Sequence, residues 1–254
     1  GWLKNTTGIG PSDFNDVHYI AVRGSLVVDL TPNLENYTIV SYLHSSNNGS
    51  VGKQIDCAPG GLLGGIVFCP SLDNLTDNAD GDFYAVQSTL PNATSKIDQW
   101  QIINTTSWMV GETVTIKNIA SYAQMVHVNR TALFGTNIPN PNPLDPNPIQ
   151  FSGFGPPLGV KTANAETITE ELQIQASALD SRRSWQSGVY IELTNPLGTI
   201  GNQSPSNISC VDLATFQCAN PYGFGNITHT TGTVSYRNLG LYGQANFKLS
   251  DQFK

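Results

Sequence analysis

Oxygen-bearing side chains crowd residues 73–82, which read Asp-Asn-Leu-Thr-Asp-Asn-Ala-Asp-Gly-Asp. Calcium takes about six to eight oxygen ligands, and extracellular modules bind it weakly. An EF-hand does not fit, because aligning Gly81 with the turn glycine of that motif leaves no Glu at its last ligand position. The segment therefore predicts either an irregular site for a structural calcium ion or a solvated acidic turn before a strand at Phe83. The ligands of the calcium site would be Asp73, Asp77, Asn78, Asp80 and Asp82.

Signatures of catalysis are scarce. No G-x-S-x-G elbow occurs, and no H-x-H, H-E-x-x-H or C-x-x-C motif accompanies the isolated histidines His18, His44, His127 and His229. A glycosidase pair could still come from carboxylates on different strands, although each candidate is more simply an exposed residue. An enzyme is thus the less favoured interpretation. The candidate carboxylates are Asp29, Asp98, Glu112, Glu170, Glu171 and Glu192.

Aromatic side chains offer a second kind of site, a platform on which sugar rings stack. Trp100, Trp108 and Trp185 lie in or beside predicted strands, and Tyr222 and Phe224 flank a glycine in a loop. The favoured alternative is that Trp100 and Trp185 fill the core of a sandwich. The loop pair is then the better candidate for exposed rings.

N-glycan acceptors are the most abundant motif. Ten of the 24 asparagines open an Asn-x-Ser/Thr triplet without proline, about twice what chance placement would give. Covalent N-glycans are therefore expected partners, and they place the protein outside the cell or on its surface. The acceptors are Asn5, Asn36, Asn48, Asn74, Asn92, Asn104, Asn129, Asn202, Asn207 and Asn226.

The four cysteines form two local pairs, Cys57 with Cys69 and Cys210 with Cys218. Metal binding by four thiolates would favour C-x₂-C spacing, which is absent, so disulfides are predicted. Three connectivities are open from sequence alone. Closing loops this short contributes about 2–3 kcal/mol each, so the disulfides pin loops and do not create the fold.

Charge and hydropathy exclude two classes of partner. Charged residues make up only 12% of the 254-residue chain, and the twelve Lys and Arg residues are scattered, so no nucleic-acid surface is predicted. No apolar run reaches the 18 residues of a membrane span. The chain begins without Met or a signal peptide, which we interpret as a mature chain from which a signal peptide has been removed.

Short segments of alternating apolar and polar residues must position these groups, and they predict strands. Residues 163–179 contain three glutamates and are the one helix candidate, but strict alternation around Leu172 and Ile174 favours a strand there too. The other predicted strands are 17–30, 37–43, 65–68, 83–89, 100–103, 112–119, 122–128, 189–194, 232–236 and 241–249.

The predicted fold is all-β, an antiparallel β-sandwich of the Ig-like or jelly-roll-like kind. Seven of the fifteen prolines fall in residues 138–159, where neither a helix nor a central strand can continue. This segment is either a connector between two sheet units or a long loop of one sandwich. The predicted organisation is an extended N-terminal segment (1–16), a β unit (17–137), the connector (138–159) and a second β unit or the completion of the first (160–254).

Two functions follow from these features. The first is a heavily N-glycosylated extracellular structural subunit that assembles with copies of itself into a filament, pilus-like thread or surface coat. An unpaired sheet edge accepts a strand from a neighbour, and residues 1–16 or 241–249 are the predicted donor strand. The alternative is a secreted carbohydrate-binding protein or a glycan-active β-sandwich enzyme. No cofactor is predicted beyond the structural calcium.

Overall fold

The computed structural model describes residues 1–61, 64–177 and 182–248. Strands make up 58% of the chain and helices 6%, and antiparallel sheets are packed together. This architecture is consistent with an all-β sandwich and confirms the predicted fold class. Within the described ranges, no helix is both long enough and apolar enough to cross a membrane.

The elements follow one another in a simple order along the chain. A π-helical turn at Gly64–Phe68 leads into the helix α1 (Cys69–Asn78). The strands are β1 (Leu3–Asn5), β2 (Asp13–Phe14), β3 (Tyr19–Thr31), β4 (Leu34–Asn47), β5 (Ala85–Val86), β6 (Thr94–Val110), β7 (Val114–Ala132), β8 (Ile149–Gln150), β9 (Gly153–Phe154), β10 (Ala163–Ser177), β11 (Arg183–Pro196), β12 (Ile200–Ser206), β13 (Ile208–Asp212), β14 (Gln217–Ala219), β15 (Asn226–Gly232) and β16 (Tyr236–Phe247).

Seven long strands form one large sheet in the order β16-β11-β10-β7-β6-β4-β3. Every neighbouring pair in this order is antiparallel. Hairpins join β3 to β4 and β6 to β7, and the second turn contains Gly111 at φ 70°, a conformation that favours glycine. The strand prediction is confirmed for residues 163–177, which form β10, and residues 178–179 lie outside the described residues. The predicted segments 112–119 and 122–128 belong to the single strand β7, except that residues 112 and 113 lie in the turn before it.

The remaining described segments form a compact unit, which we call the base. It comprises the described parts of residues 1–18, 48–93, 133–162 and 197–235. They connect to the long strands at one end of the large sheet, because Tyr19, Asn47, Thr94, Ala163 and Tyr236 all lie there in the register. The opposite end, which carries the β3–β4 and β6–β7 turns, is called the tip.

The N-terminal segment packs within its own chain. β1 pairs with β2 and with β5, and Leu3 and Phe14 lie in the main apolar cluster, where Phe14 is only 1% exposed. Withdrawing these side chains would open the core. Residues 1–16 are thus part of the core of their own chain in this structure, and their donation to a neighbour stays a prediction. Of the other predicted donor segment, 241–249, residues 241–247 lie in β16, Lys248 follows that strand, and Leu249 lies outside the described residues.

Four local predictions are wrong. The predicted strand 232–236 does not form, because β15 ends at Gly232 and β16 begins at Tyr236. Residues 65–68 form the π-helical turn, which runs directly into α1, and not a strand. Residues 73–78 are helical where an irregular acidic loop was expected, because Pro70 at the helix start and the buried Leu75 favour a packed helix. Of the predicted strand 83–89, only β5 at Ala85–Val86 forms.

Both predicted disulfides are present. Cys57–Cys69 ties a loop to the first residue of α1, and Cys210–Cys218 links β13 to β14 at directly paired positions. The Pro-rich segment 138–159 lies in the base and contributes β8 and β9. Buried Gln150 fixes it there, since its side chain donates to the carbonyl of Thr89 and accepts from the amide of Cys210.

Candidate functional site

None of the residues in the seven long strands is buried. Every residue of β3 is exposed, and the other six strands contain only exposed or partly exposed residues. The buried apolar side chains of the described chain all lie in the base, as Phe14, Leu90 and Leu213 illustrate. The core of the described chain therefore lies in the base, and both faces of the long strands remain accessible.

The two faces differ in chemistry, as two successive rows across the sheet show. Directly paired residues lie on the same side of a sheet, and the next row lies on the other side. The first row is Gly24, Val40, Ile102, Tyr122, Ile168, Leu193 and Arg237. The second is Arg23, Ser41, Gln101, Ala123, Thr167, Thr194 and Tyr236. We call the side of the first row the apolar face and the side of the second the polar face.

Large apolar side chains remain accessible all over the apolar face. Leu26 is 63% exposed, Leu239 73% and Leu241 82%. Far fewer large exposed apolar residues lie on the polar face, namely Tyr19, Val27, Met109, Met125 and Tyr236. Those on the apolar face are Ile20, Val22, Leu26, Val28, Leu30, Val40, Tyr42, Trp100, Ile102, Trp108, Val110, Ile168, Leu172, Ile174, Trp185, Ile191, Leu193, Leu239, Leu241 and Phe247.

The tryptophans correct one sequence prediction. Trp100 and Trp185 were expected to fill a core, but they are 39% and 47% exposed on the apolar face, as is Trp108 at 49%. The sequence could not show that nothing within the described chain covers the apolar side of these strands.

A hydrogen-bonded quartet interrupts the apolar face between β4 and β6. The side-chain amide of Asn36 donates to Asn104 Oδ1 (3.0 Å) and Thr106 Oγ1 (2.9 Å). In return, the amide of Asn104 donates to Asn36 Oδ1 (2.9 Å) and Thr38 Oγ1 (2.8 Å). Two glycosylation triplets thus lie side by side and satisfy each other, which occupies the nitrogen atoms that a glycan would need.

A second polar chain crosses β6, β7 and β10 on the apolar face. Trp100 Nε1 donates to Gln124 Oε1 (3.1 Å), and Gln124 Nε2 donates to the hydroxyl of Tyr122 (2.6 Å). That hydroxyl donates to Glu166 Oε2 (2.6 Å), and the bond to the carboxylate raises the pKa of Tyr122. Sequence reasoning missed Glu166, because only the strand register brings it to these partners.

Next to this chain lies a smaller cluster around Asp98. His44 Nδ1 is 2.7 Å from Asp98 Oδ1, and the hydroxyl of Tyr42 donates to the same oxygen at 3.2 Å. The hydrogen bond from His44 is the main cause of a lowered pKa of Asp98. The cluster is open to solvent at the base end of the sheet.

The other predicted carboxylates do not form a catalytic pair. Glu171 and Glu192 lie on the polar face of adjacent strands, where Glu171 is opposite Tyr190 and Glu192 is opposite Thr169. The hydroxyl of Tyr242 donates to Glu171 (2.5 Å) and lowers its pKa. A general acid of a glycosidase needs the opposite shift. Glu170 faces the apolar side, Asp29 is paired with Glu35 on β4, and Glu112 lies in the β6–β7 turn.

The predicted calcium ligands are not gathered around one point. Asp73, Asp77 and Asn78 belong to α1, and the side chain of Asn78 donates to the carbonyl of Asn74. Asp82 accepts a hydrogen bond from the amide of Tyr84. Over the described ranges, no three His, Cys, Asp or Glu side chains are grouped so that they could hold a metal ion.

The histidines are also apart from one another. His18 lies 3.5 Å from Asp16, and His229 stacks on Phe216. His127 faces the polar side of β7, and burial lowers its pKa. The loop rings of Tyr222 and Phe224 stack on each other at 5.2 Å and are exposed, as the sequence predicted.

The glycan acceptors fall into two groups, according to whether their side-chain amide nitrogens donate hydrogen bonds within the chain. Those of Asn5, Asn36, Asn48, Asn92 and Asn104 donate hydrogen bonds inside the chain, and Asn5 alone donates to three carbonyls. Within the described chain, no such donation is made by Asn74, Asn129, Asn202, Asn207 or Asn226. Of this free set, only Asn129 belongs to a long strand, and it lies at the base end.

Both edges of the large sheet are open. Within the described residues, β3 pairs only with β4 and β16 only with β11. No protein-family model matches the sequence, and no curated protein is significantly similar to it. The large sheet offers an extended surface for contact with another molecule.

Proposed function

We propose that the protein is an extracellular, N-glycosylated structural subunit that assembles with copies of itself into a filament, thread or surface coat. Assembly proceeds by β-strand pairing at the edges of the large sheet. The observation that carries this proposal is the pair of long open edges, β3 and β16, on a sheet whose seven long strands contain no buried residue.

The edges lack most of the features that keep monomeric sheets apart. Natural edge strands are short, or carry proline, many charges or bulges. β3 has 13 residues and β16 has 12, and neither contains proline. Their charged residues are Arg23, Asp29 and Arg237, and the one irregularity of β3 lies at its tip end. Such edges expose backbone donors and acceptors that a strand of another copy can satisfy.

The number of strands limits how copies can join. Because seven strands alternate in direction, β3 and β16 run the same way. When β3 pairs with β3 of a second copy about a two-fold axis, the two strands are antiparallel, and the same holds for β16 with β16. A pair of β16 with β3 is parallel. Alternating the two antiparallel contacts gives an open chain of subunits, since each copy keeps one edge for the next neighbour.

Modification and location support the same proposal. Two disulfides are compatible with an oxidising extracellular compartment. The acceptor asparagines with free amide nitrogens lie in the base or at the base end of β7, so glycans there leave the edges and most of the large sheet uncovered.

Light scattering during size-exclusion chromatography, with negative-stain imaging, tests this function. Gly24→Pro and Ser25→Pro form a matched pair, because adjacent residues of an edge strand turn their amides to opposite sides. The proline that replaces the residue whose amide points to β4 removes a hydrogen bond within the sheet and lowers the melting temperature. The other removes a donor toward solvent, and we expect it to shorten the assemblies while the fold stays intact. Monomers of the wild-type chain at all concentrations would contradict the proposal.

A carbohydrate-binding function is the second candidate, favoured by one observation. Trp100 is partly exposed beside the polar groups of Asp98 and Gln124, which is the combination of ring and hydrogen-bonding groups that sugars use. A glycan-array signal that Trp100→Ala abolishes, in a chain that stays monomeric, would favour this candidate over assembly.

A further inference from the structure

We propose that the apolar face of the large sheet packs against the same face of a second copy, which makes a two-layer sandwich from two chains. This inference rests on the proposed function and names a second contact in the assembly. The edges extend each sheet sideways, whereas the apolar faces join two sheets front to front.

The apolar face is large enough to form a stable interface. Seven strands spaced about 4.8 Å apart span about 34 Å, and 12 residues at about 3.4 Å each extend about 40 Å. The face therefore covers about 1,300 Å², and two such faces cover about 2,600 Å². Stable interfaces bury about 1,600 Å² in total, and obligate homodimers bury about 2,000 Å² or more. Monomers rarely leave an apolar patch larger than about 600 Å² exposed.

The pattern of exposure is a further argument. Central residues are open as well as those near the edges, since Ile102 on β6 is 38% exposed and Ile168 on β10 is 41% exposed. The buried side chains lie in the base and do not extend over the long strands. Large exposed apolar side chains thus lie on six of the seven strands, all except β7, on both sides of the polar quartet.

Polar groups within the apolar face favour a protein sheet over a lipid surface as its partner. The quartet around Asn36 and Asn104 and the carboxylates of Glu166 and Glu170 lie within the face. Hydrocarbon chains cannot satisfy the remaining hydrogen-bonding capacity of these groups. A second twisted sheet matches the shape, because aligned sheets pack about 10 Å apart at about 30°. A two-fold axis between the copies places like surfaces against each other, as a homodimer requires.

Three of the four tryptophans report directly on this contact. Trp100, Trp108 and Trp185 all lie on the apolar face, and only Trp2 lies in the base. Packing of the two faces should shift tryptophan emission to the blue and protect it from acrylamide. Dilution below the dissociation constant should reverse both effects.

The test uses two adjacent isoleucines of β6 that point to opposite faces. Ile102 lies on the apolar face and Ile103 on the polar face. Each is replaced by Glu in the full chain, and mass is measured by sedimentation equilibrium together with acrylamide quenching. We expect Ile102→Glu to halve the mass of the smallest stable species and to increase quenching at least twofold. Ile103→Glu should leave both unchanged, and circular dichroism checks that both variants fold.

The two contacts fail in different ways. If the edge variants of β3 leave a dimer that Ile102→Glu converts to monomers, face packing holds and the proposed polymer fails. If polymers persist and Ile102→Glu changes neither mass nor quenching, the edge contact holds and face packing is overturned. A monomeric wild-type chain overturns it too, whether or not that chain binds vesicles of phosphatidylcholine and phosphatidylglycerol. Binding to those vesicles would name a lipid surface as the occupant.

Discussion

Trimming one isoleucine should weaken association of the apolar faces by an amount that the exposed part of its side chain sets. Ile102 is 38% exposed on the apolar face. Complete burial of such a side chain stabilises by about 1.5–3 kcal/mol, so covering the exposed part adds about 0.6–1.1 kcal/mol per copy. Both copies of a symmetric dimer lose this contribution, so Ile102→Ala should cost about 1–2 kcal/mol of association free energy. That corresponds to about a 5- to 30-fold rise in Kd.

Leu90 provides the opposite case. It is 0% exposed and lies in the core of the base with Phe14 and Leu213. Leu90→Ala should lower the free energy of unfolding by about 2–5 kcal/mol because of the lost contacts and the cavity left behind. It should leave Kd unchanged, since the base lies beyond the apolar face.

Sedimentation equilibrium gives Kd, and urea denaturation below the dissociation constant gives the stability of the separated chain. Ile103→Ala is the control, because it trims the same strand on the polar face. Equal rises in Kd for the variants at 102 and 103 would refute the assignment of the contact to one face. A rise in Kd for Leu90→Ala would refute the separation between base and sheet.

Three further predictions concern the base and the glycans. Mass spectrometry of glycopeptides from native material should show a glycan at Asn226, whose amide is free, and none at Asn104, whose amide is bonded; the reverse pattern would contradict the hydrogen-bond assignment. Replacing Cys210 and Cys218 by Ser should lower the free energy of unfolding by about 2–3 kcal/mol, measured by thermal denaturation without reductant. Burial opposes ionisation of Asp212, but hydrogen bonds from backbone amides and Asn92 outweigh it and lower its pKa. Its contribution to stability is therefore full above the unfolded value near 3.8 and is lost as pH falls through the lower folded pKa, and Asp212→Asn should reduce that loss in acid denaturation curves.

Alternation predicted the strands well because a strand of the large sheet has one apolar side along its whole length. Alternation around Leu241 predicts β16, and alternation around Leu172 predicts β10. In β10 the alternation favours a strand over a helix. The signal failed where a few buried residues determine the local structure. α1 lies in an acidic stretch whose sequence is dominated by turn-forming residues, and only burial of Leu75 and Ser71 reveals its packed side.

The candidate surface was beyond reach from the sequence for a related reason. A pattern of period two shows which side of a strand is apolar but not what covers that side. The exposure of Trp100 and Trp185 depends on how the seven strands join into one layer, and the Asn36–Asn104 quartet depends on their register. Local cysteine pairing, in contrast, needs no long-range information, and both disulfides were predicted correctly.

The most direct test of assembly is a cryo-EM reconstruction of the native material. It should show two layers of strands about 10 Å apart, with the three tryptophans of the large sheet between them and the edges β3 and β16 continued by strands of other copies. Isolated chains whose apolar face borders solvent, with both edges unpaired, would contradict it.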